Sequence, residues 1–243
     1  MILPDAFTIT PKEKEAFVYD CFQNISETYD KTNDVISFGI HRFWKDAMIK
    51  RIVAFAPKDI LDVASGTGDV ALWIAEKNPQ AHVVGSDFSE NMLVVAEKRR
   101  AEQKLDNVSF QCENAMEMSF EDNSFDVVVV SLALRNMPDY RQVVSEMTRV
   151  LRPGGQFFCI DTSWPTNPIV KPFFGLYFSH IMPLLGNAVA HAPVEYQWLN
   201  ASTKAFLSKD ALADLMRSCG LVNVNYKSHM LGGAATHNGT KPI

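Results

Sequence analysis

The sequence has no C-x-x-C pair: Cys21, Cys112, Cys159 and Cys219 stand far apart. That spacing excludes a zinc ribbon and a small disulfide framework, and it predicts reduced, mostly buried thiols in a reducing compartment. The six histidines show no H-E-x-x-H spacing and no clustered carboxylates, so no metal centre is expected. Basic residues are in deficit, 23 Lys and Arg against 28 Asp and Glu, and the net charge of -5 argues against nucleic acid as a partner. Twelve Gly and twelve Pro are too few for a collagen-like or low-complexity chain. Met1 to Lys14 lack the basic start and apolar core of a secretory signal, which makes a cytosolic location the expectation. A long hydrophobic run is missing too. A membrane-spanning helix needs about 20 apolar residues. The least charged stretch, between Lys171 and Glu195, is interrupted by Gly175, His180, Pro183, Gly186 and Asn187.

What is present is an ordinary globular composition, 47% hydrophobic over 243 residues, which fits one large domain with appendages. The first fifty residues read as helices. Phe17, Phe22, Ile25, Tyr29, Val35 and Ile36 recur at roughly helical spacing, with breaks expected near Asn33-Asp34 and at Ser37-Phe38-Gly39. A further helix is expected from about His41 to Phe55, with Phe43, Trp44, Ala47, Met48, Ile52 and Phe55 as its apolar stripe. Residues 1–56 thus read as an N-terminal helical cap on a domain of residues 57–243. Lys45, Lys50 and Arg51 read as a solvated face. From Asp59 short apolar runs alternate with helices. Strands are expected at 60–64, 81–86, 108–112, 125–131 and 156–161, with helices at 69–77, from the N-cap Ser89, and at 140–151. Arg152-Pro153-Gly154-Gly155 reads as a turn. Val127 to Val130 read as a strand buried on both faces. A helix at 209–219 and strand-like ends at 221–227 and 229–237 follow an aromatic insertion at about 164–200. The alternation predicts an α/β fold: a mostly parallel, doubly wound, seven-stranded sheet with an insertion after the fifth strand.

The informative segment is Asp62-Val63-Ala64-Ser65-Gly66-Thr67-Gly68-Asp69, between a strand and a helix. Gly66 and Gly68 permit a tight turn and a close approach by a ligand, and the helix that follows aims its first amides at that ligand. Asp87 ends the second strand, where a carboxylate can accept both hydroxyls of a ribose. Gly66-Thr67-Gly68-Asp69-Val70-Ala71 also fits the dinucleotide fingerprint G-x-G-x-x-A. Asp69, however, would set a negative charge beside a pyrophosphate. S-adenosylmethionine carries an amine and a sulfonium and no phosphate, so Asp62 and Asp69 suit it better. The D-x-x-x-G-x-G pattern therefore predicts a Rossmann-like class I methyltransferase ahead of a nicotinamide dehydrogenase. Asn114-Ala115 after the third strand and Ser131 after the fourth stand where such folds hold the adenine and the methionyl end.

With those residues in place, the sequence resembles the C-methyltransferases of ubiquinone and menaquinone biosynthesis. Tyr29 to Trp44 (YDKTNDVISFGIHRFW), Leu134-Arg135-Asn136, Arg149 to Gly155 with Asp161-Thr162-Ser163, and the tail Gly233 to Pro242 carry the likeness. Thr32, Ser65, Ala133, Arg152, Asp161, Asn238 and Thr240 depart from the family's usual residues. The resemblance implies methyl transfer from S-adenosylmethionine to a ring carbon of a prenylated naphthoquinol or benzoquinol, demethylmenaquinol being the first expectation. It implies cofactor contacts at Thr67, Asp87, Asn114, Ala115 and Ser131.

The same motifs supply the catalytic candidates. Arg135 would stabilise the phenolate or polarise a water, Asp69 would orient that water or bind the methionyl amine, and Asn136 and Tyr29 would hydrogen-bond the ring oxygens. His41 reads as a structural partner. The uncharged segment from Pro172 to Ala190 reads either as a groove for the isoprenoid tail, which would also allow a peripheral membrane contact, or as a buried helix pair. A homodimer stays open. So do two rival readings: a methyltransferase of another phenolic small molecule, and a non-catalytic cofactor-binding partner in a quinone-synthesis complex.

Overall fold

The computed structural model describes residues 3–26, 28–190 and 193–243. A seven-stranded sheet runs in the order β3-β2-β1-β4-β5-β7-β6. Its strands are β1 (Asp59–Val63), β2 (His82–Asp87), β3 (Val108–Cys112), β4 (Phe125–Ser131), β5 (Leu151–Thr162), β6 (Val222–His229) and β7 (Ala234–Thr240). β1 to β5 pair in parallel, and β7 is antiparallel to both its neighbours. Strand order reverses between β1 and β4, which opens a crevice at their carboxyl ends.

The run Val127 to Val130 shows why this sheet must be covered twice. Val128 and Val130 pack with Val143, Val144 and Met147 of α6 (Tyr140–Val150) and with Leu212 and Met216 of α10 (Lys209–Ser218). Val127 and Val129 pack on the other face with Leu72 and Ile74 of α4 (Asp69–Lys77) and Met48, Ile49 and Ile52 of α3 (Ile40–Ala54). All four valines are buried. Ser89 caps α5 (Glu90–Gln103) by accepting from the Met92 amide.

Several expectations shift. α3 buries His41, Lys45, Met48, Ile49 and Ile52, whereas Phe43 and Phe55 are exposed. The apolar stripe is therefore displaced around the helix, and Lys45 lies inside rather than on a solvated face. No break occurs at Asn33-Asp34: α2 (Tyr29–Ser37) runs through them because Asp34 accepts two hydrogen bonds from Arg42 of α3. The preceding break falls instead after α1 (Pro11–Ile25). The turn expected at Arg152 to Gly155 is a bulge inside β5. Gly154 takes φ +80, and its amide donates to the Lys241 carbonyl. Residues 230–232, expected in the last strand, form a tight turn in which Met230, Leu231 and Gly232 all take positive φ. Of the thiols expected to be mostly buried, Cys21 and Cys159 are buried, Cys219 is half-buried and Cys112 is exposed.

The insertion forms α7 (Val170–Leu176), a π-helical stretch (Tyr177–Ile181), α8 (Met182–Ala190) and α9 (Pro193–Ala205). Residues 191–192 of it lie outside the described residues. Its Phe174, Phe178, Met182 and Tyr196 form a third apolar cluster with Ile25 and Ile36 of the N-terminal helices. Cap and insertion therefore fold onto each other above the carboxyl ends of the strands.

Candidate active site

The loop after β1 is built by backbone shape. Gly66 and Gly68 both take positive φ, +56 and +78. A side-chain carbon on Gly66 would meet open space, and one on Gly68 would strike the Phe110 ring at 2.6 Å. Gly66 thus leaves room for a ligand, and Gly68 lets the loop settle onto β3. Ala64 and Leu132, which follow the adjacent strands β1 and β4, also take left-handed φ of 53 and 58. Both face the crevice, where such strain is commonly stored.

This crevice holds a cavity of about 400 Å³. Asp62, Gly66, Thr67, Asp69, Asp87, Asn114, Ala115, Ser131, Asn136 and Tyr29 line it; Gly68 and Arg135 do not. Among the described residues, five acidic ones (Glu15, Asp62, Asp69, Asp87 and Glu113) surround it with one cation, Lys45. That balance suits a cationic ligand and opposes a pyrophosphate. Both carboxylate oxygens of Asp62 are buried without a hydrogen bond, as are Ser65 Oγ and Ser131 Oγ. Burial pushes Asp62 up to about 8, against the Lys45 charge and the Ala71 amide, which faces it without completing a hydrogen bond. Asp87 accepts from the Gly66 and Ser89 amides at 2.8 and 2.9 Å. Burial nonetheless raises its carboxyl to about 6.

Asp69 behaves differently. Burial works to raise it, but Lys45 Nζ at 2.9 Å and the Arg99 guanidinium hold its carboxyl at about 2. Arg99 Nη1 also donates to Asp30 Oδ2 at 2.7 Å and to Thr67 Oγ1 at 3.0 Å, and Thr67 Oγ1 donates to Asp30 at 2.8 Å. The glycine loop, α2, α3, α4 and α5 are thereby tied into one charged cluster.

A second, mostly apolar cavity of about 200 Å³ adjoins the first. Tyr29 and Leu132 wall both. Phe174, Tyr177, Phe178, Met182 and Leu199 supply much of its aromatic and aliphatic lining, and Trp44, His41 and Arg135 line it as well. Arg135 is buried; its Nη1 donates to Asp161 Oδ1 at 2.6 Å and to the Leu132 carbonyl, while its Nε has no partner. Asn136 Oδ1 accepts from Trp198 Nε1 at 3.1 Å. Burial, reinforced by Lys45, lowers His41 to about 4, so the ring is neutral at pH 7. Ser37 Oγ meets its Nδ1 at 2.6 Å.

The structure thus divides the expected residues other than Gly68, which lines neither cavity, between two chambers. Lys45 was missed as a site residue, although His41, Lys45, Met48 and Ile52 follow the i, i+4 pattern of one buried face. The α1 residues Glu15, Val18, Tyr19 and Phe22, which roof the first cavity, had no local signal. Neither did Arg99.

A family model described as the ubiE/COQ5 methyltransferase family matches residues 10–241. The demethylmenaquinone methyltransferase of Listeria welshimeri is 45% identical over 94% of this chain and 97% of its own. That of Shouchella clausii is 44% identical over 96% and 99%. Among solved structures, a methyltransferase of Thermotoga maritima that depends on S-adenosylmethionine overlays with TM-score 0.61 and 18% identity, covering 92% of this chain and 99% of that one. Phosphoethanolamine N-methyltransferase 2 of Haemonchus contortus, bound to S-adenosylhomocysteine, gives 0.59 and 17% over 76% and 49%. These two likenesses show the fold. Matched along nearly its whole length, the chain belongs to the ubiE/COQ5 methyltransferase family.

Proposed function

We propose that this chain transfers a methyl group from S-adenosylmethionine to a ring carbon of a prenylated quinol, converting demethylmenaquinol to menaquinol. The observation that carries the reading is the pair of chambers: an acid-lined cavity sharing the Tyr29–Leu132 wall with an apolar one. The relatives named demethylmenaquinone methyltransferase supply the substrate. When bound, S-adenosylmethionine supplies an electrophilic methyl on a sulfonium. The first cavity fits it: the unpartnered Asp62 carboxylate suits the ammonium, Asp87 the ribose hydroxyls, and open space above Gly66 the close approach.

The residues then act as follows. Tyr29 and Leu132 position the ring against the first cavity, which serves the in-line geometry that transfer requires. Arg135, anchored by Asp161, lines the second cavity and sets its positive charge beside a ring oxygen, which favours transfer of the hydroxyl proton to water and makes the neighbouring carbon nucleophilic; the ring carbon's own proton passes to water after methyl transfer. Asp69 stays ionised beside Lys45, so it orients groups rather than taking up a proton. Asn136 lines the first cavity, which supports a role at the cofactor rather than at the ring oxygens. Phe174, Phe178 and Met182 shelter the start of the isoprenoid tail. A substrate with such a tail is held by the bilayer, so the reading includes a peripheral membrane contact.

The test is an assay with methyl-labelled S-adenosylmethionine and reduced, short-tailed demethylmenaquinol, beside the corresponding benzoquinol. Label on the naphthoquinol ring carbon is the expected result. Tight cofactor binding with no transfer to either quinol would sink the assignment and favour another phenolic substrate.

A further inference from the structure

Three large apolar side chains beside the second cavity are exposed and hold a backbone conformation that such residues avoid. Phe38, which closes α2, has φ 51 and is 70% exposed. Met230 and Leu231, in the connection between β6 and β7, have φ 44 and 53 and are 43% and 78% exposed. Left-handed backbone is unfavourable for a bulky side chain, and Asn or Gly would hold each turn at lower energy. Phe38 and Met230 also line the cavity, so the patch is continuous with its interior. Phe173 and Leu176 of α7 are exposed as well, and their sequence neighbours Phe174 and Tyr177 line the cavity. An unfavourable choice repeated around one opening marks a surface with a function outside folding.

We propose that this rim is a membrane-docking face: it inserts into the boundary between lipid headgroups and acyl chains, and the quinol enters the second cavity from the bilayer without crossing water. The proposal rests on the quinol reading above. Charge selects lipid as the occupant. The chain carries a net charge of -5, yet no charged residue lies between Lys171 and Glu195, and no Asp or Glu follows Asp214. Asp34, close to Phe38 in α2, is neutralised by two bonds from Arg42. A phosphate-rich headgroup layer repels carboxylates, whereas the exposed charges that precede Phe173 and Met230 in the chain are Lys171 and Lys227. Insertion at an interface needs no crossing element, and among the described residues no helix is long and apolar enough to cross a membrane.

The experiment is sedimentation of the full chain with phosphatidylcholine vesicles, with and without phosphatidylglycerol, beside the double variant Leu231→Asn/Phe173→Gln. Wild type is expected to pellet with vesicles, and the variant's affinity to fall at least about tenfold. Leu231→Asn alone should keep or raise the melting temperature, because Asn tolerates the left-handed turn; a merely structural Leu231 would give the opposite sign. Turnover of a short-tailed, water-soluble quinol should be unchanged in the double variant, while turnover of a long-tailed quinol in vesicles falls. Wild type that ignores both vesicle types overturns the proposal, as does a variant that binds like wild type. A lipid-free dimer that the double variant dissociates would assign the face to a second copy and overturn it too. Vesicle binding is read without substrate, and the soluble quinol without vesicles, so failure of the docking face and failure of the quinol reading appear in different measurements.

Discussion

Asp62 is the residue whose energetics are most exposed to test. Its carboxyl stands near 8 in the fold, above the value of about 4 expected in an unfolded chain. Between those values the unfolded chain has lost the proton and the folded one keeps it, so stability without ligand falls as pH rises from about 4 to about 8. Asp62→Asn removes that slope and should stabilise the ligand-free protein by roughly 2–4 kcal/mol at pH 7, as read by denaturant melts across pH. A bound ammonium reverses the preference. Calorimetric titration with S-adenosylhomocysteine in two buffers of different ionisation heat should show proton release near pH 7 in wild type and none in Asp62→Asn. Arg135 calls for a different control. It and Asp161 form a buried pair, so Arg135→Ala leaves a buried carboxylate uncompensated and should cost about 3–5 kcal/mol of stability. Arg135→Ala/Asp161→Ala should cost less than the sum of the single changes, and activity lost by Arg135→Ala counts toward catalysis only after that cost is measured. The pattern of residues around Gly66 made Asp62 a legible candidate. Nothing local announced that Asp161, 26 residues past Arg135 in the chain, would be its partner.

Among the elements, α2 carries the heaviest demands for its length. A helix of 9 residues is marginal alone, so its position comes from what grips it. Asp30 joins it to Thr67 and Arg99, Asp34 to Arg42, and the Ile36 carbonyl accepts from Tyr177 Oη of the insertion. Tyr29, Asn33, Ile36 and Ser37 of this helix line the second cavity. Asp30→Asn is therefore expected to raise KM for the quinol about 3–10-fold while changing S-adenosylhomocysteine affinity less than about threefold, since the coupling of contacting groups is worth about 1 kcal/mol. Steady-state kinetics and calorimetry together decide it; equal loss in both would place Asp30 with the cofactor loop alone. The same helix shows where sequence reading fails. Asn33-Asp34 has the propensity of a break, but the Arg42 fork outweighs propensity. On α3, aromatic Phe43 and Phe55 drew the apolar stripe toward themselves, and the true inward face includes a lysine. The 69–77 helix was legible because its glycine loop and its apolar period agree.

For the whole molecule, ligand binding and folding are one equilibrium. S-adenosylhomocysteine at 100 times its Kd should add about 2.7 kcal/mol, which for a chain of this size raises the melting temperature by about 5–10 °C. A thermal scan reads it directly, and no shift would contradict a cavity formed only in the folded chain. The sheet was legible because a strand covered on both faces leaves a continuous apolar run. The roof was not, because it is assembled from distant pieces: Lys14 reaches the Met137 carbonyl across 123 positions, and Phe17 packs on Trp198. Sheet order carries one more consequence. The first chamber is lined by Cys112 and Glu113, at the end of the edge strand β3, and the second by Met230 and Gly233, between β6 and β7 toward the other edge. On the docking proposed above, spent cofactor would leave into water by its own door while the greasy reactant keeps its door against lipid. The two exchanges would then not queue, and a protein docked in that way would be recharged from the aqueous side without letting go.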